Sequence, residues 1–232
     1  MMAKNSQSSP RPPLSDEELE NITADHFVQL KLTEDETSRL RKINQRKDRE
    51  RAERLVRTQA EQVPIVKELA EVGIEIGSLS DLIMRKTSYT AAIPVLMKHL
   101  VQPYSDITRE TIARSLAVPE PEVRKAWPIL VQEYRKAPIG LGIVAPGDTK
   151  EYPLHAKDGL AVALSATVTD ETIEELIALA KDPSLGGGRV LLLAGIRKSR
   201  SPAAKHAIEE LASDPALAKE IASSSKGRKK LR

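Results

Sequence analysis

Cysteine is absent from this chain of 232 residues. That excludes disulfides, thiolate metal sites and cysteine nucleophiles, and it fits a reducing, cytoplasmic setting. Aromatic residues make up only 3%, so the core must be aliphatic. Long apolar runs are also missing. The longest covers residues 190–194, far below the ~20 residues needed to span a bilayer. Residues 1–13 contain no stretch suited to a signal peptide. The expectation is a soluble, intracellular protein without membrane contact.

Catalytic and metal-binding patterns are scarce as well. The histidines are His26, His99, His155 and His206, and none lies three or four residues from another, so no paired histidine ligands on a helix arise. No nucleophile elbow and no Walker loop is present. Gly140, Gly142 and Ala145 match the spacing of a dinucleotide fingerprint, but Arg135 and Lys136 end a helix before it and Pro146-Gly147 follows where a helix should start. We read residues 139–152 as a hairpin-like loop turning at Pro146-Gly147-Asp148. No cofactor, metal or small-molecule substrate is expected, and the chain does not read as an enzyme.

What is present is helical. Hydrophobic residues make up 40% and charged residues 30%, with Ala, Leu, Glu, Lys and Arg prominent, which predicts an all-α fold. Residues 1–34 read as a disordered arm around Phe27, Val28, Leu30 and Leu32. Residues 35–62 read as one charged helix. Nine residues from Arg39 to Arg57 are Arg or Lys, and the apolar positions are too sparse for a heptad. Pro64 is expected to end that helix and open the next. The net charge is only +3, yet Lys226, Arg228, Lys229, Lys230 and Arg232 concentrate in a basic tail, residues 223–232.

Residues 63–222 carry an internal repeat. Leu164 and Ile196, Leu176 and Ile208, Leu179 and Leu211, Asp182 and Asp214, and Pro183 and Pro215 all keep one offset of 32. Two helices fit inside that period, so each unit is a helical hairpin that buries its faces only by stacking on neighbours. Thr169 and Ser201 are expected caps, and the Asp-Pro pairs expected stops. The segment 137–153 is an insertion between units.

The junctions Ala161-Val-Ala-Leu164 to Asp170 and Leu193-Ala194-Gly195-Ile196 to Pro202 resemble the B-to-A helix junctions of the HEAT-repeat family, and particularly bacterial HEAT-repeat proteins of unassigned function. The resemblance implies a short right-handed α-solenoid of HEAT-like hairpins, preceded by the long charged helix and the disordered arm. It implies a ligand-holding concave surface lined by the B helices. Arg109, Arg114, Lys157, Arg189, Arg197 and Lys198 fall on or beside predicted B helices and form the candidate partner-binding groove. Leu141, Ile143 and Val144 are a second candidate contact, on the inserted loop. Gly186-Gly187-Gly188 before Arg189 reads as a flexible turn, with a helix-terminal anion site as the sharper alternative. Trp127, the sole tryptophan, reads as a packing residue. A glycosylase on this scaffold would need groove aromatics that the chain lacks. The expected function is therefore non-enzymatic gripping of a protein partner, as an adaptor, inhibitor or assembly factor. Nucleic-acid binding through the basic helix, groove and tail is the rival, favoured by a pI near 9.0.

Overall fold

A computed structural model describes residues 11–85 and 87–229. The described residues form thirteen α-helices and two short strands, so the fold is all-α. None of these helices is long and apolar enough to cross a membrane. The chain divides into two compact units, residues 1–55 and 56–232.

In the first unit the expected disordered arm is ordered from residue 11; residues 1–10 lie outside the described residues. α1 (Asp16–Glu20) starts on a capping box made by Ser15 and Glu18, and α2 (Ala24–Gln29) starts on Thr23. The order comes from polar contacts rather than apolar area. Glu36, fully buried, accepts from Arg11 at 2.7 and 2.8 Å and from the backbone N–H of Leu14 and Thr33 at 2.8 Å. The arginine and these N–H groups hold its carboxyl far below the usual range. Leu19 is buried, but Phe27 and Val28 remain exposed. Asp16 pairs with Arg39 and Glu20 with Arg46, so the acidic patch neutralises part of the arginine-rich stretch.

α3 (Glu34–Glu71) runs through Pro64, against the expected break. A proline inside a helix removes one N–H donor and crowds the carbonyl four residues back. Tertiary anchoring on both sides outweighs that cost. Thr58, Gln62, Ile65 and Leu69 are all buried. Arg57 pairs with Asp148 at 2.9 Å, and Glu61 accepts from the Ser105 N–H at 2.9 Å. Pro64 itself is exposed.

The second unit continues through α4 (Ser80–Met84), a 3-10 turn (Thr90–Ala92), α5 (Ile93–Leu100), α6 (Asp106–Ser115), α7 (Pro121–Lys125) and α8 (Trp127–Lys136). The insertion forms the expected small hairpin, with β1 (Leu141–Gly142) antiparallel to β2 (Tyr152–Pro153). Then come α9 (Ala156–Thr167), α10 (Ile173–Lys181), 3-10 turns at Pro183–Leu185 and Gly187–Leu192, α11 (Leu193–Lys198), α12 (Pro202–Leu211) and α13 (Pro215–Lys229). The basic tail is therefore helical through Lys229, and residues 230–232 lie outside the described residues.

The stops and most of the period hold. Asp182 accepts from Ser184 N–H at 3.0 Å and Asp214 from Ala216 N–H at 2.9 Å, one turn geometry repeated at the same offset. Leu164 and Ile196, and Leu179 and Leu211, are buried in register. Ser201 caps α12 as expected. Thr169 does not cap α10, which begins at Ile173 after Thr172; the Thr169 N–H instead donates to the Thr172 hydroxyl at 2.9 Å.

Two glycines set how closely α6, α9 and α11 approach. A Cβ on Gly159 would sit 2.8 Å from the Glu110 carbonyl, and one on Gly195 would sit 2.9 Å from Ser165 Cα. Asp106, at the start of α6, accepts from His155 N–H at 2.7 Å and Ala156 N–H at 3.1 Å. It therefore supplies the N-terminal cap of α9 from a neighbouring helix. Trp127 is buried, and its indole N–H donates to Glu175 at 2.6 Å, tying α8 to α10.

Candidate partner-binding groove

The six candidate cations separate into two groups. Arg109, Lys157 and Arg189 lie near the first turns of α6, α9 and the 3-10 segment leading into α11, and each turns inward. Arg109 donates to Glu133 at 2.8 Å, with both side chains largely buried. Arg189, 3% exposed, donates to Asp214 at 2.9 Å, to the Ala180 carbonyl at 2.7 Å and to the Gly186 carbonyl at 2.9 Å. Lys157, 5% exposed, sits 5.2 Å from the centre of the Tyr134 ring. Burial pushes its pKa down, and Asp182 opposes that shift. Lys157 and Arg189 stand one repeat apart, as do Asp182 and Asp214. The repeat thus carries a rung: Arg189 bonds the aspartate that follows α12, while Lys157 feels Asp182 as a nearby charge without an ion pair among the described residues. These three residues, placed in the groove by sequence, are withdrawn from it, because their charge is committed inside the fold.

The rung encloses further polar groups. Tyr134 is fully buried, its hydroxyl finds no hydrogen-bond partner among the described residues, and burial raises its pKa to about 12. The triple glycine is not an open anion site. Arg189 bonds back to Gly186, and Asp158 Oδ1 would lie only 2.3 Å from a Cβ on Gly188. A carboxylate of the chain already stands there. His99, in the last turn of α5, is buried and shares a 2.8 Å hydrogen bond with Tyr104.

Of the other three cations, Lys198 is exposed and Arg114 partly so, but Arg197 is nearly as enclosed as Arg109. Arg114 pairs with Glu110 one turn back at 2.7 Å. Arg197 pairs with Glu220 of α13 at 3.2 Å, and Lys198 is exposed. Arg197 and Lys198 come together at the edge of a cavity of about 560 Å³. Its floor is apolar: Ala117, Val162, Ala166, Val190, Leu191 and Ala194. Arg114 stands one helical turn before Ala117. A second cavity of about 490 Å³ shares Ser165, Ala166 and Lys198 with the first and adds Arg124, Thr169, Glu171 and Arg200. The Glu171 carboxyl is held below its ordinary range, first by Thr169 and to a smaller extent by Arg124.

Arg124 and Arg200 are the residues that sequence reading missed. Arg200 was visible as the neighbour of Lys198 in a basic run. Arg124 was not, because nothing local announces that the end of α7 meets the α9 and α11 termini. On the inserted loop, Leu141 and Ile143 are 63% and 51% exposed, whereas Val144 is buried and its carbonyl accepts from Ile107 N–H at 3.0 Å. Val144 therefore leaves the candidate contact set, as the loop's anchor on α6. Among the described residues no group of three His, Asp or Glu side chains is placed to hold a metal ion.

Comparison with protein-family models, curated proteins and solved structures finds no match to this chain.

Proposed function

We propose that this chain is a non-enzymatic binding protein of the HEAT-repeat type, with its second unit a short right-handed solenoid that grips a protein partner on a concave B-helix face. The observation that carries this reading is the pair of adjoining cavities, the first with an apolar floor along α9 and α11, whose edges carry Arg124, Arg197, Lys198 and Arg200 beside Asp170, Glu171 and Glu220. An apolar floor with a charged rim suits a protein segment that offers an apolar stripe flanked by charged groups. A cytoplasmic setting is part of the same proposal. The chemistry of the partner, rather than its identity, is what the groove defines.

The experiment is capture of partners on the full chain, compared with Ala194→Glu and Lys198→Glu. Both positions are exposed, so the fold should survive, which melting by circular dichroism checks. Loss of the captured protein in both variants supports the reading, and capture indifferent to both overturns it. Arg189→Glu is no test of the groove, since it would unpair a buried network. The rival, nucleic-acid binding through the basic helix and tail, predicts affinity falling steeply with salt and hardly depending on base sequence. Five neutralised phosphates would give a log–log slope of about −4 to −5 on duplex DNA. The ion pairs that Arg39 and Arg46 make inside the first unit weigh against it.

A further inference from the structure

We propose that the cavity of about 490 Å³ is a phosphate site, which receives a phosphate monoester carried by the partner segment. The inference rests on the protein-gripping reading above and adds the chemistry of what is gripped. Arg124, Lys198 and Arg200 reach this cavity from three places: the last turn of α7, the last residue of α11 and the loop before α12. Among the described residues none of the three forms an ion pair. Carboxylates were there to be used, since the chain has 33 acidic residues against 36 basic ones. Like charges gathered from separate elements repel one another. An anion placed among them turns that repulsion into attraction.

The other lining groups say which anion. Asp170 and Glu171 border the same cavity, so three cations less two carboxylates leave a surplus of one positive charge. Glu171 is held first by Thr169 and then feels the Arg124 charge, which leaves Lys198 and Arg200 without a counter-charge. A carboxylate ligand would bring one charge and two oxygens in a plane. A phosphate monoester brings three acceptor oxygens in a tetrahedral fan, and close to two charges at neutral pH. It can therefore meet donors that arrive from three directions. Ser199 adds a neutral donor, because its oxygen accepts from the Ser201 N–H at 3.1 Å and its own proton is left to give. The second charge of the phosphate calls for a cation beside it on the ligand, and exposed Asp170 is there to meet one. The cavity shares Ser165, Ala166 and Lys198 with its apolar neighbour. A segment crossing from one to the other would set an apolar side chain over Ala166 and its phosphate against Lys198.

Phenyl phosphate, titrated into the isotope-labelled full chain and followed by amide NMR shifts, tests the site without a known partner. The shifts should cluster at Arg124, Thr169 and residues 198–200. Arg124→Gln combined with Arg200→Gln should weaken binding at least about tenfold. The melting curve should not move, since both residues are exposed. Benzoate, planar and singly charged, should bind more weakly than phenyl phosphate. A degenerate phosphoserine peptide library passed over the chain should return peptides with an apolar residue and a basic residue beside the phosphate, bound more tightly than phenyl phosphate. Absence of shifts at the named residues overturns the phosphate site, as does unchanged binding in the double variant or equal binding of benzoate. Phenyl phosphate bound with no preference among the peptides marks a general anion site and overturns the phosphorylated segment. The protein-gripping reading is judged apart from all of these by Ala194→Glu, which lies in the apolar cavity alone.

Discussion

Arg189 and Lys198 are basic residues nine positions apart in one repeat, and the fold treats them oppositely. Arg189 stands where the 3-10 segment leads into α11, facing the end of α10 and the aspartate that follows α12. It fills its donors with two carbonyls and Asp214. Lys198 stands at the end of α11, exposed, beside the two cavities. The same division separates Lys157 near the start of α9 from Arg124 and Arg200 at helix ends. The cations at the helix entries are therefore structural parts. Lys198 and Arg200, at and beyond the end of α11, are exposed, whereas Arg114 and Arg197 are held by Glu110 and Glu220.

The sharpest way to break that comparison is at Arg189. Arg189→Ala would leave the buried Ala180 carbonyl without its side-chain donor and remove one of the two donors to Asp214, whose side chain is 21% exposed. The expected cost is about 3 kcal/mol, read as a shift of the denaturant midpoint at constant slope. A loss under about 1 kcal/mol would show that the rung is not structural. Next in size is Gly195→Ala. Its methyl would enter within 2.9 Å of Ser165 Cα and 2.8 Å of Leu176 Cδ2. Because the first of these is backbone, α9 and α11 must separate, at about 2 kcal/mol.

Lys157 sharpens the comparison from inside the buried group, because it lacks the hydrogen bonds that Arg189 makes. Its ammonium rests on the Tyr134 ring, and burial lowers its pKa. Between that lowered value and the ordinary 10.5, the unfolded chain binds the proton more tightly than the folded one. Stability contributed at this site must then rise with pH through that window, and be lowest at neutral pH and below. Lys157→Met, which keeps the length and removes the charge, should lie within about 1 kcal/mol of the native chain at pH 7. The difference should shift in favour of the native chain as pH climbs from 8 to 10, measured by urea midpoints. Stopping near pH 10 keeps the measurement below the Tyr134 transition, near 12. A difference flat across that range would show that Lys157 is solvated after all.

The second unit was legible where the signal is local or periodic. The offset of 32 between Asp182-Pro183 and Asp214-Pro215 located turns that the structure repeats hydrogen bond for hydrogen bond. Ser201 and Pro202 fixed the start of α12, and Pro146-Gly147 marked the hairpin. Reading failed where distant contacts override a local rule. Pro64 breaks helices in isolation, but Gln62 and Ile65 are buried on either side of it and hold α3 together. The arm lacks apolar area, and Glu36 gathers it through hydrogen bonds that no hydrophobic pattern announces. The placement of the candidate cations was only half legible. Marking cations on the second helix of each repeat picked out Arg197 and Lys198, which the structure sets beside the first cavity, but the rule has no way to separate helix entries from exits. It therefore also marked Arg109 and Arg189, which Glu133 and Asp214 hold, and Lys157, which is buried against the Tyr134 ring.

The smallest expected effect on stability is at the exit cations, and its smallness is what gives the comparison its meaning. Lys198 and Arg200 are exposed, and neither makes an ion pair among the described residues. The double change Lys198→Glu with Arg200→Glu should leave the midpoint within about 0.5 kcal/mol of the native chain, as exposed charges away from networks do. Asp170 and Glu171 border the same cavity, so the reversed charges would add some repulsion there. Salt should screen it within roughly 10 Å at 0.1 M. If the midpoint instead falls as far as for Arg189→Ala, entry and exit cations are alike structural, and the rim has no charge to spare for a partner. If stability holds while the captured protein is lost, the division between committed and available cations is the division between fold and function.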